Sequence, residues 1–211
     1  MVFVAGGTGY LGRPLVERIL NKGQSVRALV RRGSEHKLPR DVESVYERVL
    51  TGCDTFVHLI GTPRPSPAKA KEFREVDLPQ ALASIEAAKR GGVRHFVYVS
   101  VAHPAPIMQA YIDVRQQCER AIADSGIPHT ILRPWYILGP GHWWPYALSP
   151  IYKLMEALPP TRESALRLGL VTHEQMIAAL EWAVFHPPAK HQVLSVTDIR
   201  RHSFIDSLAV D

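Results

Sequence analysis

Three glycines, Gly6, Gly9 and Gly12, stand between the apolar run 2–5 and a segment whose Leu11, Leu15, Ile19 and Leu20 recur at helical spacing. The order is strand, tight turn, helix. Glycines so placed bring bare backbone up to a phosphate. One lets the chain turn sharply off the strand, one lets the main chain approach an anion with no side chain between, and one lets the helix pack close to the sheet. The helix N-terminus then offers free N–H groups and a partial positive charge to a pyrophosphate. Three glycines alone occur in many loops. The apolar strand before them and the amphipathic helix after them favour a dinucleotide site over a turn without ligand.

Further residues along the chain are of types that do chemistry. Residues 24–30 read as a second strand, and the strand ends in Arg31-Arg32. An NAD-preferring site carries Asp or Glu there for the ribose 2′-hydroxyl. Arginines instead suit a 2′-phosphate, which they bind bidentately, so NADP(H) is the preferred cofactor, with NAD(H) possible. Tyr111 and Arg115 lie one helical turn apart on a face continued by Cys118 and Ile122. Ser100 closes the strand read over 93–100. His103 and His142 fall in loops expected to face the crevice, where either can serve as an acid or base toward substrate. Trp143 and Trp144 either line a planar apolar substrate pocket or pack a cap. The ten histidines form no metal-type cluster on one helix, and no metal is expected.

The elements that must position these residues alternate strand and helix. Strands are expected at 42–46, 55–60, 93–100 and 129–133, and helices from about Asp77 to the Gly91-Gly92 stop and within 105–125. The connection 47–54 is too short for an ordinary crossover helix, which needs a dozen residues or so. Either the helix is truncated or residues are absent from the sequence. The proline-rich stretch 61–67 reads as a rigid loop at the crevice edge. Beyond Ser149 a short helix is expected at 152–158, a strand-like run at 166–171 and a last strand at 192–197. Between the last two, Thr172-x-x-Gln175 has the form of a capping box, opening a helix with Met176, Ile177, Leu180 and Val184 on its apolar face.

Bulk properties bound the reading. The chain has 211 residues, 46% hydrophobic and 21% charged, enough for one domain with a good core. It has no apolar run long enough to span a membrane. The first strand starts at once, leaving no room for a signal peptide. The two cysteines, Cys53 and Cys118, have no metal or disulfide pattern, which fits a reducing cytoplasm. The net charge of +5 invites a nucleic-acid partner, yet residues 1–50 hold nine basic against five acidic residues, so much of the excess lies beside the phosphate turn. A polyphosphate cofactor accounts for it, and no nucleic-acid motif is present.

Taken in order, these pieces resemble the short-chain dehydrogenase/reductase superfamily, in its extended or atypical branch that includes NmrA-like and epimerase-like proteins. The matching residues are Gly6-Gly-Thr-Gly-Tyr-Leu-Gly12, residues 52–60, Phe96-Val-Tyr-Val-Ser100, Tyr111-x-x-x-Arg115 and residues 125–134 through Gly139-Pro-Gly141. The resemblance implies an α/β Rossmann fold, a doubly wound parallel sheet in a single domain over 1–211, with residues 143–191 contributing a small substrate cap. It implies cofactor contacts at Gly6, Thr8, Gly9, Tyr10, Leu11, Gly12, Arg31, Arg32, Leu59, Ile60 and Gly61. Pro134, Trp135, Tyr136 and Ile137 would lie beside the nicotinamide. It also implies catalysis by Ser100, Tyr111 and Arg115: the tyrosine as proton donor or acceptor, the serine orienting a carbonyl, the arginine where the family carries a ribose-holding lysine. Arginine's wider fork makes that replacement non-conservative. The family also places a Gly-Asp pair and a helix after the third strand, and both are missing here, which would weaken adenine binding. The implied activity is an oxidoreductase acting on a carbonyl, alcohol or quinone-type small molecule, as monomer or homodimer. Its rivals are a non-catalytic dinucleotide sensor and an accessory nucleotide-binding subunit.

Overall fold

The structure is a computed structural model that describes residues 1–140 and 159–201. In chain order its elements are β1 (Val2–Ala5), α1 (Gly12–Asn21), β2 (Val26–Leu29), β3 (Glu43–Val45), β4 (Thr55–His58), α2 (Leu78–Arg90), β5 (His95–Val99) and α3 (Gln109–Asp124). There follow β6 (His129–Leu132), β7 (Tyr136–Leu138), α4 (Pro159–Arg167), β8 (Leu170–Thr172), α5 (His173–Phe185) and β9 (His191–Leu194). Seven strands form one parallel sheet in the order β3-β2-β1-β4-β5-β6-β9. The order reverses between β1 and β4, the switch point where doubly wound sheets hold their ligands. The expected Rossmann architecture is present.

The strands are apolar on both sides because both sides are covered. Val2, Val4, Val57, Val97 and Leu132 face α1 and α5, while Phe3, Phe56, Phe96 and Ile131 face α2 and α3. The aromatic ladder Phe3–Phe56–Phe96, with ring centroids 4.9 and 5.1 Å apart, stiffens the second side.

Five expectations are corrected. The first concerns the crossover from β3 to β4, expected to hold a truncated helix or to lack residues: residues 46–54 contain no helix and cross as an irregular strap with a turn at Leu50–Cys53. Nine residues at about 3.3 Å each reach about 30 Å, against roughly 20 Å for three strand spacings and one strand length back. A helix of the same residues would reach only about 14 Å. Leu50 and Cys53 bury against the second side of the sheet. Arg27 on β2 holds the strap by donating to the carbonyls of Val49 and Thr51 at 3.0 and 2.9 Å.

The second correction is that the helix expected from Asp77 begins earlier. A 3₁₀ turn (Pro67–Lys69), an α-helical turn (Ala70–Glu72) and a π turn (Phe73–Asp77) run without a break into α2. The third is that α5 packs into the core rather than forming part of a cap. Met176, Ile177, Leu180 and Val184 of α5 are buried with Leu15, Val16 and Ile19 of α1, and β9 joins the main sheet. Because α5 shares a side with α1 while its connection runs the opposite way across the sheet, that crossover has the opposite hand to β1–α1–β2. Right-handed connections are the rule, so this one is an exception. The capping box at Thr172 is present, with Thr172 Oγ1 accepting from Gln175 N and Gln175 Oε1 accepting from Thr172 N. The strand-like run at 166–171 is instead the end of α4 followed by β8, which pairs with β7 in a small second sheet. The last strand ends at Leu194, and residues 196–201 are helical. The short helix read at 152–158 lies outside the described residues.

Candidate functional site

The carboxyl ends of β1, β4, β5 and β6 carry nearly every residue singled out in the sequence. The glycine turn leaves β1. Gly6 has φ +92°, and a Cβ there would lie 2.9 Å from the carbonyl carbon of Leu59; at Gly12 it would lie 2.1 Å from the oxygen of Gly6. Both positions therefore require glycine, and the turn is a cradle that any side chain would fill. Gly9 N donates to Gly6 O at 3.0 Å and closes it. α1 has Leu11 at its N-cap position, with no side-chain cap and no acid in its first turn. On the same side of the sheet α5 caps its own N-terminus completely. The bare end is the one aimed past the glycine cradle, which is what an anionic pyrophosphate needs. The residues present thus fit a dinucleotide.

Leu59, Ile60 and Gly61 follow β4 beside this turn. The loop is held by Asp77, whose Oδ1 accepts from Thr62 N at 2.8 Å and Thr62 Oγ1 at 2.7 Å. Tyr10 is 42% exposed and spans from the turn to the small sheet: its hydroxyl lies against Gly139, and its ring centroid is 4.3 Å from that of His173. His173 Nε2 also reaches the Tyr10 carbonyl oxygen at 2.9 Å. Pro134 is buried, Trp135 packs against the α1/α5 core and against a small cluster of Val101, Ala105 and Ile112, and Tyr136 and Ile137 form part of β7.

Ser100 stands one residue past β5, 2% exposed, and its Oγ has no hydrogen-bond partner among the described residues. A buried hydroxyl without a partner is costly unless something else completes it. Tyr111 lies in the first turn of α3, which starts from Met108 in the left-handed conformation, φ 65°. Its ring centroid is 4.9 Å from that of Phe73, and its hydroxyl makes no hydrogen bond to a described residue.

Arg115, expected where the family holds the cofactor ribose, turns most of its donors to the protein, with Nε left without a hydrogen-bond partner among the described residues. It is 5% exposed and committed internally: Nη2 to Asp77 Oδ2 at 3.1 Å, Nη1 to Tyr98 Oη at 2.9 Å and to the Val99 carbonyl at 3.3 Å. Its guanidinium also lies 4.8 Å from the Tyr111 ring centroid. Burial opposes the charge, but Tyr111, Tyr98 and Asp77 outweigh it and hold the guanidinium above its usual pKa. Burial pushes the Tyr98 phenol up, so it stays protonated. The stripe Tyr111–Arg115–Cys118–Ile122 faces the sheet, and a cation in an inward stripe must bring its own counter-ion. Arg115 ties the helix bearing Tyr111 to Asp77 and, through Asp77, to the Gly61–Thr62 loop.

His103 stands beside α3. Nδ1 lies 3.3 Å from Gln116 Nε2, while Nε2, 3.7 Å from Glu119, is buried with no hydrogen-bond partner among the described residues. His142, Trp143 and Trp144 lie outside the described residues. Arg31 and Arg32 are both exposed past β2, and their guanidinium groups make no hydrogen bond or ion pair with a described residue. The sequence reading missed Asp77, Thr62 and Tyr98. Asp77 was legible only as a helix start, because its partner lies 38 residues away. A surface hollow lined by Lys89, Val93, Arg94 and Ile127 lies at the amino ends of β5 and β6, away from this edge.

Residues 6–140 match the model of a family described as NAD(P)H-binding. A ceramide reductase of Caulobacter vibrioides is 26% identical over 215 residues, 97% of this chain and 66% of its own length. A photosystem II assembly factor, Ycf39, of Trieres chinensis is 28% identical over 141 residues, 63% of this chain and 44% of its own. A 4-hydroxy-2-methyl-3-oxo-4-farnesyl-3,4-dihydroquinoline-1-oxide ketoreductase of Stigmatella aurantiaca is 26% identical over 170 residues, 65% and 50% of the two lengths. The chain therefore spans from under half to about two thirds of these relatives. Among solved structures, MoeE5 bound to UDP-glucuronic acid and NAD superposes with a TM-score of 0.69 at 20% identity, covering 92% of this chain and 75% of that one. No helix among the described residues is long and apolar enough to cross a membrane.

Proposed function

This chain belongs to the NAD(P)H-binding family, and we propose that it is an NADP(H)-dependent oxidoreductase that reduces the carbonyl of a lipophilic small molecule, or oxidises the corresponding alcohol. The observation that carries this reading is the buried, unsatisfied Ser100 Oγ, with Tyr111 Oη, which bonds to no described residue, on a neighbouring segment at the carboxyl edge that also holds the glycine cradle. When bound, the dinucleotide supplies or accepts a hydride. Its diphosphate is held by the cradle of Gly6, Thr8, Gly9, Tyr10, Leu11 and Gly12. Leu59, Ile60 and Gly61 lie under its adenine-side half, and Arg31 and Arg32 offer free guanidinium edges to a 2′-phosphate.

The chain's own residues perform the rest. Ser100 donates a hydrogen bond to the substrate oxygen and orients it. Tyr111 delivers the proton to that oxygen in reduction and takes it in oxidation. Asp77 and Arg115 hold the Tyr111 helix against the cofactor loop. Substrate enters over Ile107, 58% exposed, and Met108, with Trp135 and Leu168 behind. That apolar approach suits a hydrocarbon-bearing ketone, in keeping with relatives named for a ceramide and a farnesylated quinoline.

Two measurements test the reading. Purified protein is titrated with NADPH and NADH, and NADPH oxidation is then followed against long-chain ketones and quinones. Tyr111→Phe is expected to lower kcat about 10²- to 10⁴-fold with NADPH affinity retained. Undiminished turnover in Tyr111→Phe removes this assignment. A second reading is favoured by one observation: the ion pair with Asp77 takes the Arg115 charge out of the site. In that reading the chain binds NADP(H) without turnover and signals through a protein surface, as relatives named as assembly factors suggest. Tight NADPH binding with no turnover of any carbonyl would support it.

A further inference from the structure

The strap that replaces the crossover helix begins with Tyr46, and Tyr46 does not pack inward. It is 48% exposed and stands beside the end of β2, because Val30 N donates to Val45 O at 2.9 Å and the two strands release their chains side by side. The Arg32 guanidinium carbon lies 4.7 Å from the Tyr46 ring centroid, and Tyr46 Oη donates a hydrogen bond to Glu35. Glu35 comes from the short 3₁₀ turn Glu35–Lys37 that follows Gly33, φ +80°. Three residues from two segments thus form one stack: Glu35 fixes the phenol, the phenol's face holds Arg32, and Arg32 keeps its N–H edge unspent.

A guanidinium stacked on a ring loses none of its in-plane donors. It also loses side-chain freedom before any ligand arrives, which reduces the entropy cost of binding. The edge so presented lies at the end of β2, next to the glycine cradle at the end of β1. Among the described residues neither Arg31 nor Arg32 has an acidic partner, and Arg31, Arg32 and Lys37 outnumber Glu35, whose carboxylate is engaged by Tyr46. The chemistry that fits is a dianionic phosphate monoester held bidentately.

We propose that Tyr46 is a positioning residue for cofactor choice: braced by Glu35, it holds Arg32 ready for the 2′-phosphate of NADP(H). A strap residue thereby contributes to the adenosine half of the site in place of the missing helix and its Gly-Asp pair. The proposal rests on the dinucleotide reading above and deepens it.

The test is a fluorescence titration of the full chain with NADPH and with NADH, together with competition by 2′-AMP, 5′-AMP and inorganic phosphate. Wild type is expected to bind NADPH more tightly, and 2′-AMP is expected to compete better than 5′-AMP or phosphate. Arg32→Ala should weaken NADPH about 10- to 100-fold, as for loss of a charge-assisted bond. Tyr46→Leu should weaken it about three- to fivefold, the value of an exposed cation–π contact. In both variants the NADH affinity should stay within about twofold of wild type. Tyr46→Phe keeps the ring and should retain most of the selectivity, a rescue that a purely structural role would not predict. Equal loss of NADH and NADPH in Tyr46→Leu, or no loss of either, overturns the proposal. So does equal affinity of wild type for the two cofactors, and in that case NADH-driven turnover would leave the oxidoreductase reading standing. If neither dinucleotide binds, both fall. Tyr46 and Arg32 are exposed, so an unchanged melting temperature confirms that the variants are folded.

Discussion

At the scale of single residues, the site is organised by a buried ion pair of which sequence reading saw only Arg115, as a group taking part in the reaction. Asp77 is 2% exposed and Arg115 5%. Removing one member leaves the other charged and dry, so Arg115→Met and Asp77→Asn should each cost about 3–5 kcal/mol in urea unfolding. The double variant should cost clearly less than the two singles together, because no orphaned charge remains. If the two costs simply add, the pair is not coupled and the positioning role is wrong. Arg115→Lys should not restore the wild type, since one ammonium cannot meet Asp77, Tyr98 Oη and the Val99 carbonyl in the guanidinium's fixed directions. Glycine 12 gives a second residue-scale prediction. A Cβ 2.1 Å from a backbone oxygen cannot be accommodated by a side-chain shift. Gly12→Ala should therefore destabilise the protein by several kcal/mol and abolish NADPH binding, both readable in one thermal-shift titration.

At the scale of elements, the two helices on one side of the sheet divide two jobs. α1 leaves its N-terminus bare for a ligand, while α5 closes its own with Thr172 and Gln175. Thr172→Ala should therefore cost about 1 kcal/mol of stability and leave NADPH affinity unchanged. A cofactor effect of that variant would mean α5 belongs to the site. The capping box, the glycine turn and the alternation of strand and helix were all legible in sequence, because each is set by residues a few positions apart. The strap was legible only as a shortage of residues. Its path depends on Arg27 and Leu50 meeting elements far along the chain, which no local pattern records. The core placement of α5 was misread for the same reason: an apolar helical face shows that it will be buried, not against what. The extra turns before Asp77 were hidden by Pro65 and Pro67, which read as loop although proline is well tolerated where a helical run begins.

At the scale of the whole molecule, both sides of the sheet bury a histidine in neutral form. His58 lies on the α2 side, 1% exposed among Phe56, Phe96 and Tyr98, with Nδ1 3.0 Å from Ser84 Oγ. His95 lies on the other side, 1% exposed, with Nε2 2.9 Å from Thr130 Oγ1. Burial lowers His58 to about 3, helped by the charges of Arg115 and Arg48, and lowers His95 to about 4, helped by His129. Their folded pKa values lie below that of the unfolded chain, so the unfolded chain takes up protons first as pH falls. Their contribution is present in full above about pH 6.5 and is lost progressively from there down toward pH 4 and then 3. Each histidine contributes a slope of about 1.4 kcal/mol per pH unit within that window. By pH 5, where most carboxylates are still ionised, the pair should have cost about 4 kcal/mol, a large share of the 5–15 kcal/mol that holds a typical domain together. Urea unfolding at steps between pH 7.5 and 5 would read this directly. The two sites lie on opposite sides of the sheet, so their effects should add, and His95→Gln should halve the slope while leaving the His58 share intact. A flat profile between pH 6.5 and 5 would mean that the interior opens to water around both rings. It would also mean that the sheet carrying Ser100 and the glycine cradle is less rigid than the reaction proposed for it requires.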